Sequence, residues 1–391
     1  MADRRVYLAA RVRPLTPREL SMGAKSCVVV DGSCTTIVNP DTGDAKAFVL
    51  DYSFDSSDPT DRSGWHANND TVFREVGTQL VKHTLEGYNT CLFAHGPSGA
   101  GKTYTLVGQE SDPGLLPRVL EAVFQQDAVV KEQLAVSASF YEIKDEQVRD
   151  ILKQDLYSPG GLKVRTLPNG GGSVIEGLSV APLREMLDCE ELLAQILKYL
   201  GAIEPSAHTV FTLELFRRSE VFDASGRPQL VPHSSLRIID LAGAVAGSTN
   251  DKLSKIGGPK GAKAPSADKS LLAWANVMSA LAEKQLQMQA KTKGPKVFVP
   301  FRGSTLTRVL EGSLGERSRC YIIANLSPSH LAYKETLNTF RDIVRTKEVK
   351  KVERNEQILN AYMGDSDFIP AAGGGWRWAY CAKAPEAPPP A

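Results

Sequence analysis

Between Val6 and about Lys351 the apolar positions of this chain switch repeatedly between two periods. Alternation of apolar and polar residues over Arg5–Val12 and Leu134–Ile143 predicts strands, and Ser318–Leu326 predicts another, with Cys320, Ile322, Ala324 and Leu326 sharing one face. The run Thr90-Cys91-Leu92-Phe93-Ala94 reads as a buried strand, and Leu236-Arg237-Ile238-Ile239-Asp240 as a short apolar strand ending in a carboxylate. Spacings of three and four mark helices. Asp70 is placed to cap one whose stripe is Val72, Val76 and Leu80, closed by Gly87 just past its end. Leu271, Ala275, Met278 and Leu281 form a second stripe, and Leu337, Phe340 and Val344 a third. Strands alternating with helices over this length predict an α/β fold, a sheet covered by helices on both faces.

The pattern stops near the end. Gly373-Gly374-Gly375, the isolated Trp376 and Trp378, and the Pro-rich run from Ala384 to Ala391 cannot build a core, so residues 355–391 are expected to form a neck-like segment and a flexible tail behind one domain over 1–354. No stretch approaches eighteen uninterrupted apolar residues and no signal-peptide core follows Met1, so a soluble protein without a membrane partner is expected. Heptads are not sustained anywhere, which predicts a monomer without a coiled-coil stalk. The six cysteines lack ligand spacing, so they are expected to be reduced thiols in a cytoplasmic setting rather than a zinc site.

The sharpest chemistry is Gly96-Pro97-Ser98-Gly99-Ala100-Gly101-Lys102-Thr103, a complete GxxxxGK[ST] between the predicted strand and the helical start Tyr104-Thr105-Leu106. Its glycines allow backbone N–H groups to converge on phosphate oxygens, Lys102 reaches the outer phosphates, and the Thr103 hydroxyl suits Mg²⁺. A P-loop needs a second acid on a neighbouring strand. Asp240, followed by Leu241-Ala242-Gly243, supplies a carboxylate near the metal and a glycine N–H placed to sense a γ-phosphate.

From these residues outward the chain resembles the kinesin motor domain. The resembling stretches are Arg11-Val12-Arg13-Pro14, Gly87 through Gly96, Gly114-Leu115-Leu116-Pro117-Arg118, Phe140-Tyr141-Glu142-Ile143 with Val148-Arg149-Asp150, Asp240-Leu241-Ala242-Gly243, Lys269-Ser270-Leu271-Leu272 with Asn276-Val277-Met278, and Val299 through Leu310. The resemblance implies a P-loop NTPase with a central mixed sheet flanked by helices. It implies ATP or ADP bound with Mg²⁺ by Arg11, Arg13, Pro14, residues 96–103 and Tyr104, with Thr103 and Asp240 at the metal. Lys102, Asp240 and Gly243 are then the catalytic set. Microtubules are the implied partner, and the cytoskeleton, a cilium or axoneme included, the implied location.

Two departures matter. Where the family's first switch reads NxxSSRSH, this chain reads Glu204-Pro205-Ser206-Ala207-His208, with Ser206 in the arginine position; where the second reads DLAGSE, Ala244-Val245 follow Gly243. Both partners of the family's gating ion pair are missing together. Losing one would strand a charge, whereas losing both removes the gate without that penalty. The expectation is nucleotide binding with weak or absent hydrolysis. The alternatives are an active motor in which Ser206, Thr209 or Ser248 substitutes, and a P-loop GTPase or small-molecule kinase, for which no guanine-reading NKxD is present.

A net charge of +1 hides a local block. From Lys252 to Arg308, eleven cations face only Asp268 and Glu283, a strip of about +9 that leaves about −8 elsewhere. Lys252, Lys255, Lys260, Lys263, Lys269, Arg302 and Arg308 fall on the segments that the resemblance lays on tubulin. The strip also suits nucleic acid, but aromatic residues are sparse within it, and Trp274 and Phe298 are expected in the core, so no nucleic-acid partner is expected.

Overall fold

The computed structural model describes residues 6–58, 60, 66–131, 133–153, 160–167, 172–200, 207–222, 228–243, 266–290, 297–314, 318–344, 368–371 and 375–378. Nine strands form the main sheet: β1 (Val6–Val12), β2 (Tyr52–Asp55), β3 (Asn89–His95), β4 (Leu134–Lys144), β5 (Gln147–Asp150), β6 (Ala181–Leu183), β7 (His208–Phe222), β8 (Pro228–Asp240) and β9 (Ser318–Leu326). Their order is β5-β4-β7-β8-β3-β9-β1-β2, with β6 paired to β4. Strands β8, β3, β9, β1 and β2 run parallel, whereas β7 pairs antiparallel with both β8 and β4. The sheet is therefore mixed, as the resemblance implies.

Alternation along the parallel strands divides the core. Leu92 and Ala94 of β3, Ile238 of β8 and Ile323 of β9 face one layer, formed by the helical segment 69–85 together with α1 (Lys102–Leu106), α2 (Leu115–Phe124) and α3 (Met186–Leu200). Cys91, Phe93, Ile239, Cys320, Ile322, Ala324 and Leu326 face the other, formed by α4 (Ser266–Ala290), α5 (Thr305–Leu310) and α6 (Tyr333–Val344). A strand buried on both faces reads as a continuous apolar run, which is why β3 and β9 are legible in the sequence.

The helix expected after Asp70 has a different cap. Asn68 is the N-cap, its Oδ1 accepting from the Thr71 N–H at 2.9 Å, while Asp70 lies in the first turn and accepts from Arg118 at 3.0 Å. The helix also widens into a π turn over Phe73–Gly77 before resuming at Thr78. Within the expected tail, Phe368–Ala371 and Gly375–Trp378 pair antiparallel with Phe368 opposite Trp378. Gly375 opens the second of these strands. The expected boundary at 354 lies outside the described residues.

Candidate functional site

The parallel strands end together. His95 is registered with Ala324, Asp240 with Ala94, and Arg11 with Asn325, so the loop after β3, the Asp240 carboxylate and the end of β9 share one edge of the sheet. The carboxyl ends of parallel strands are where open α/β sheets bind ligands. Gly96 opens the loop at φ 149°, and a Cβ there would come within 2.2 Å of the Asn325 carbonyl oxygen, so any side chain would push the loop off β9. Gly101 at φ 92° is the N-cap of α1. Lys102 is buried, and its ammonium donates to the carbonyls of Gly96 (3.1 Å) and Pro97 (2.9 Å).

Asp240 reaches this loop from β8. Thr103 Oγ1 donates to Asp240 Oδ2 at 2.6 Å, while Asp240 Oδ1 is buried without a hydrogen-bond partner among the described residues. Burial lowers the Lys102 pKa and raises that of Asp240, and the attraction between the two opposes both shifts. A hydroxyl and an unsatisfied buried carboxylate oxygen on one edge of a P-loop fit a hydrated Mg²⁺. Gly243 completes the contact: a Cβ on it would lie 2.8 Å from both the Cα and the N of Ser98. The two loops therefore touch through backbone.

The residues expected around the nucleobase divide into two groups. Arg11 is not presented to a ligand. Its guanidinium is buried and donates to Ser56 Oγ (3.0 Å), Asn69 Oδ1 (2.5 Å), Thr105 Oγ1 (3.0 Å) and the Ala67 carbonyl (3.4 Å). The reason is the period of β1: Arg11 shares a face with Ala9, the face packed under the helices, so its charge must be satisfied internally. Burial lowers its pKa to about 10, opposed by Tyr104 and Asp112, and it stays charged at neutral pH. Arg13 and Pro14 are half-buried and Tyr104 is exposed. Arg13 donates to the Gly99 carbonyl at 2.8 Å and makes a two-pronged contact with Glu19 at 2.7 and 2.8 Å. Burial pushes the Glu19 carboxyl up, but bonds from Arg13, Thr16 and Ser327 prevail and hold it down to about 2. Tyr104 is 40% exposed, its hydroxyl donating to Asp112 at 2.7 Å and its ring 5.4 Å from the Arg11 guanidinium carbon.

Two further residues join the site. Asn325, at the end of an apolar strand, donates to Thr105 Oγ1 (2.7 Å) and to the Gly101 carbonyl (3.3 Å), tying β9 to the base of α1. His208 begins β7 and is 2% exposed. Its Nδ1 accepts from the Ala242 N–H at 2.9 Å and its Nε2 lies 2.6 Å from Ser270 Oγ. Asn325 shares its face of β9 with Arg319, Tyr321 and Ile323, so no break in an apolar pattern marks it. For His208 the residue is visible in the sequence but its partners, 34 and 62 positions away, are not. Ser206 and Val245 lie outside the described residues, as does Ser248.

Of the basic strip, Lys252, Lys255, Lys260 and Lys263 lie outside the described residues. Lys269, near the start of α4, and Arg302, in the turn Phe301–Gly303, are exposed. Arg308 differs from the expectation: it is half-buried and donates to the Val164 carbonyl at 2.7 Å. It thereby holds the small hairpin of Val164–Thr166 with Ser173–Ile175 against α5. Trp274 is fully buried as expected, but Phe298 is 80% exposed. Val297 and Val299 on either side are half-buried, and the alternation of an extended segment turns Phe298 outward.

The family model for the kinesin motor domain matches residues 11–349 of this chain. The chain is 35% identical over 370 residues to Kinesin-like protein KIF16B of Mus musculus, an alignment covering 88% of this chain and 27% of that protein. It is 35% identical to Kinesin-like protein KIF1A of Rattus norvegicus, covering 90% and 21%. Among solved structures, KIF14 with ADP in complex with a microtubule superimposes with a TM-score of 0.71 at 31% identity, over 90% of this chain and 96% of that one. A KIF14 dimer in a two-heads-bound state, with AMP-PNP on a microtubule, gives 0.70. The chain spans about a quarter of the length of the curated relatives it matches.

Proposed function

The chain belongs to the kinesin motor-domain family, and from that premise we propose that it is a microtubule-binding domain that holds ATP or ADP with Mg²⁺ but hydrolyses ATP slowly or not at all. The observation that supports this reading is the bond of Thr103 to an Asp240 whose other oxygen has no partner among the described residues, in a chain that carries Ser206 and Val245 where the resemblance sets the gating pair.

In this reading Lys102 exchanges its bonds to Gly96 and Pro97 for phosphate oxygens, and phosphate charge restores the ammonium that burial disfavours. Thr103 and Asp240 hold the Mg²⁺, which when bound neutralises charge on the phosphates. Gly99 and Gly101 keep the loop open to the ligand, and Arg13, itself fixed by Glu19, steadies Gly99 at the rim where Pro14 and Tyr104 flank the nucleobase. Phosphoryl transfer depends on positioning and electrostatics, so without the gate and the water-orienting serine turnover falls by orders of magnitude while binding persists. Microtubules as partner are supported by the two KIF14 complexes and by the cationic strip, with Lys269 and Arg302 exposed on it. This assigns the chain to the microtubule cytoskeleton and suits a tether, in a cilium or axoneme for example.

One observation favours the active-motor reading: Thr209 is registered directly opposite Asp240, so a hydroxyl-bearing residue stands beside the metal site. Single-turnover ATP hydrolysis with and without microtubules separates the two. Binding without a stimulated burst supports the proposal, and stimulation to ordinary motor rates overturns it.

A further inference from the structure

We propose that His208 is a positioning residue that couples the nucleotide pocket to helix α4; this rests on reading the chain as a nucleotide- and microtubule-binding domain. The imidazole is held between three elements. It stands at the first residue of β7, directly after the segment in the place of the first switch. Its Nδ1 accepts the backbone N–H of Ala242, one residue before Gly243, whose α-carbon is pressed against the Ser98 backbone of the phosphate loop. Because Nδ1 accepts, the ring proton resides on Nε2, and Nε2–H donates to Ser270 Oγ at 2.6 Å. Ser270 lies near the start of α4, next to the exposed Lys269.

The tautomer is thus set by the Ala242 N–H, and the direction of the bond to Ser270 follows from it. Any displacement of the Ala242–Gly243 backbone when the outer phosphate site fills must move the ring, break the bond, or carry Ser270 with it. A ring 2% exposed cannot replace a broken bond with water without opening the core. In a chain lacking both charges of the gating pair, this imidazole is a remaining link, among the described residues, between the second-switch backbone and α4.

The test uses the 391-residue chain, its Ser270→Ala and His208→Asn variants and the double variant, with microtubule cosedimentation in Mg-ADP and in Mg-AMP-PNP. Asparagine can accept from Ala242 at the Nδ1 position but cannot reach Ser270. In the wild type the two microtubule dissociation constants should differ by about fivefold or more, the scale of ordinary coupling between sites. In Ser270→Ala that ratio should fall towards one while affinity for a fluorescent ADP analogue stays within about twofold, and the double variant should fall no further. A merely structural bond would lower thermal stability and leave the ratio intact, which overturns the proposal. So does a wild-type ratio of one. A wild type that binds neither nucleotide nor microtubules defeats the functional reading itself, and this coupling with it. If His208→Asn fails to fold, Ser270→Ala alone decides.

Discussion

Thr103 Oγ1 and Asp240 Oδ2 lie 2.6 Å apart although 137 residues separate them in the chain. The hydroxyl belongs to the first turn of α1, the carboxylate to the last residue of β8, and the pairing of β8 with β3 brings them together. The second carboxylate oxygen is left buried without a partner among the described residues.

Replacing Asp240 by Asn, or Thr103 by Ala, should weaken the Mg²⁺-dependent part of ADP binding by about 10- to 100-fold, the usual scale for disturbing a metal's supporting groups. Titration of a fluorescent ADP analogue with Mg²⁺ and with EDTA reads this directly. The EDTA curves of variant and wild type should coincide; equal losses in both conditions would place the role elsewhere.

Gly243→Ala should cost about 1–3 kcal/mol of stability, because a Cβ 2.8 Å from the Ser98 backbone has no flexible neighbour to displace. The phosphate loop must move instead, so nucleotide affinity should fall with the melting temperature. Thermal unfolding with and without ADP checks both, and a variant stabilised by ADP as strongly as wild type would refute the contact.

Restoring the gate should raise turnover. Ser206→Arg together with Val245→Glu is expected to increase the single-turnover rate by about tenfold or more, while each alone adds an unpaired charge and gives no gain. Equal effects of the single and double variants would show that the gate is not what limits hydrolysis.

Neutralising Lys252, Lys255, Lys260 and Lys263 together should abolish microtubule cosedimentation at moderate salt, and wild-type binding should itself weaken steeply as salt rises. Arg308→Ala should behave differently, lowering thermal stability more than binding, since its guanidinium holds the Val164 carbonyl. Unchanged sedimentation of the fourfold variant would move the contact off this strip.

Stability should fall with acid in two steps. Burial depresses the folded-state pKa of His208 from 6.5 to about 3, aided by the charges of Lys102 and His95. Below about pH 6.5 the unfolded chain binds this proton and the folded chain does not. The contribution is complete above that pH and declines by about 1.4 kcal/mol per pH unit as pH drops towards 3. Glu19, lowered from 4.5 to about 2, adds stability that is complete above about pH 4.5 and disappears as pH falls through 2. Urea unfolding at pH 7.5, 5.5 and 4.5 tests the first step, and His208→Asn should flatten it.

Much of the site is legible in the sequence. Gly96 to Thr103 can be assigned because each residue's chemistry and spacing carries its own meaning, and β3 and β9 because strands buried on both faces are continuously apolar. Arg11 misleads because an arginine at the end of a strand looks available until the helices over its face are placed. Phe298 reads as core although it is exposed, because an isolated aromatic carries no period, whereas Trp274 sits on a helical stripe that points it inward. The Asp70 cap fails by two residues because Asn68 offers the same capping chemistry.

By itself the sequence determined what lies within a few residues: strand and helix periods, a loop able to wrap phosphate, Ser206 and Val245 where the resemblance sets the gating pair, and the lysine-rich strip. Only the tertiary structure decided which distant groups meet: Thr103 with Asp240, Gly243 with Ser98, Gly96 with Asn325, and His208 with both Ala242 and Ser270. The physical reason is that local pattern reports burial and backbone preference. Which strand ends lie side by side depends on the order and register of a mixed sheet, and no window of the chain contains that order.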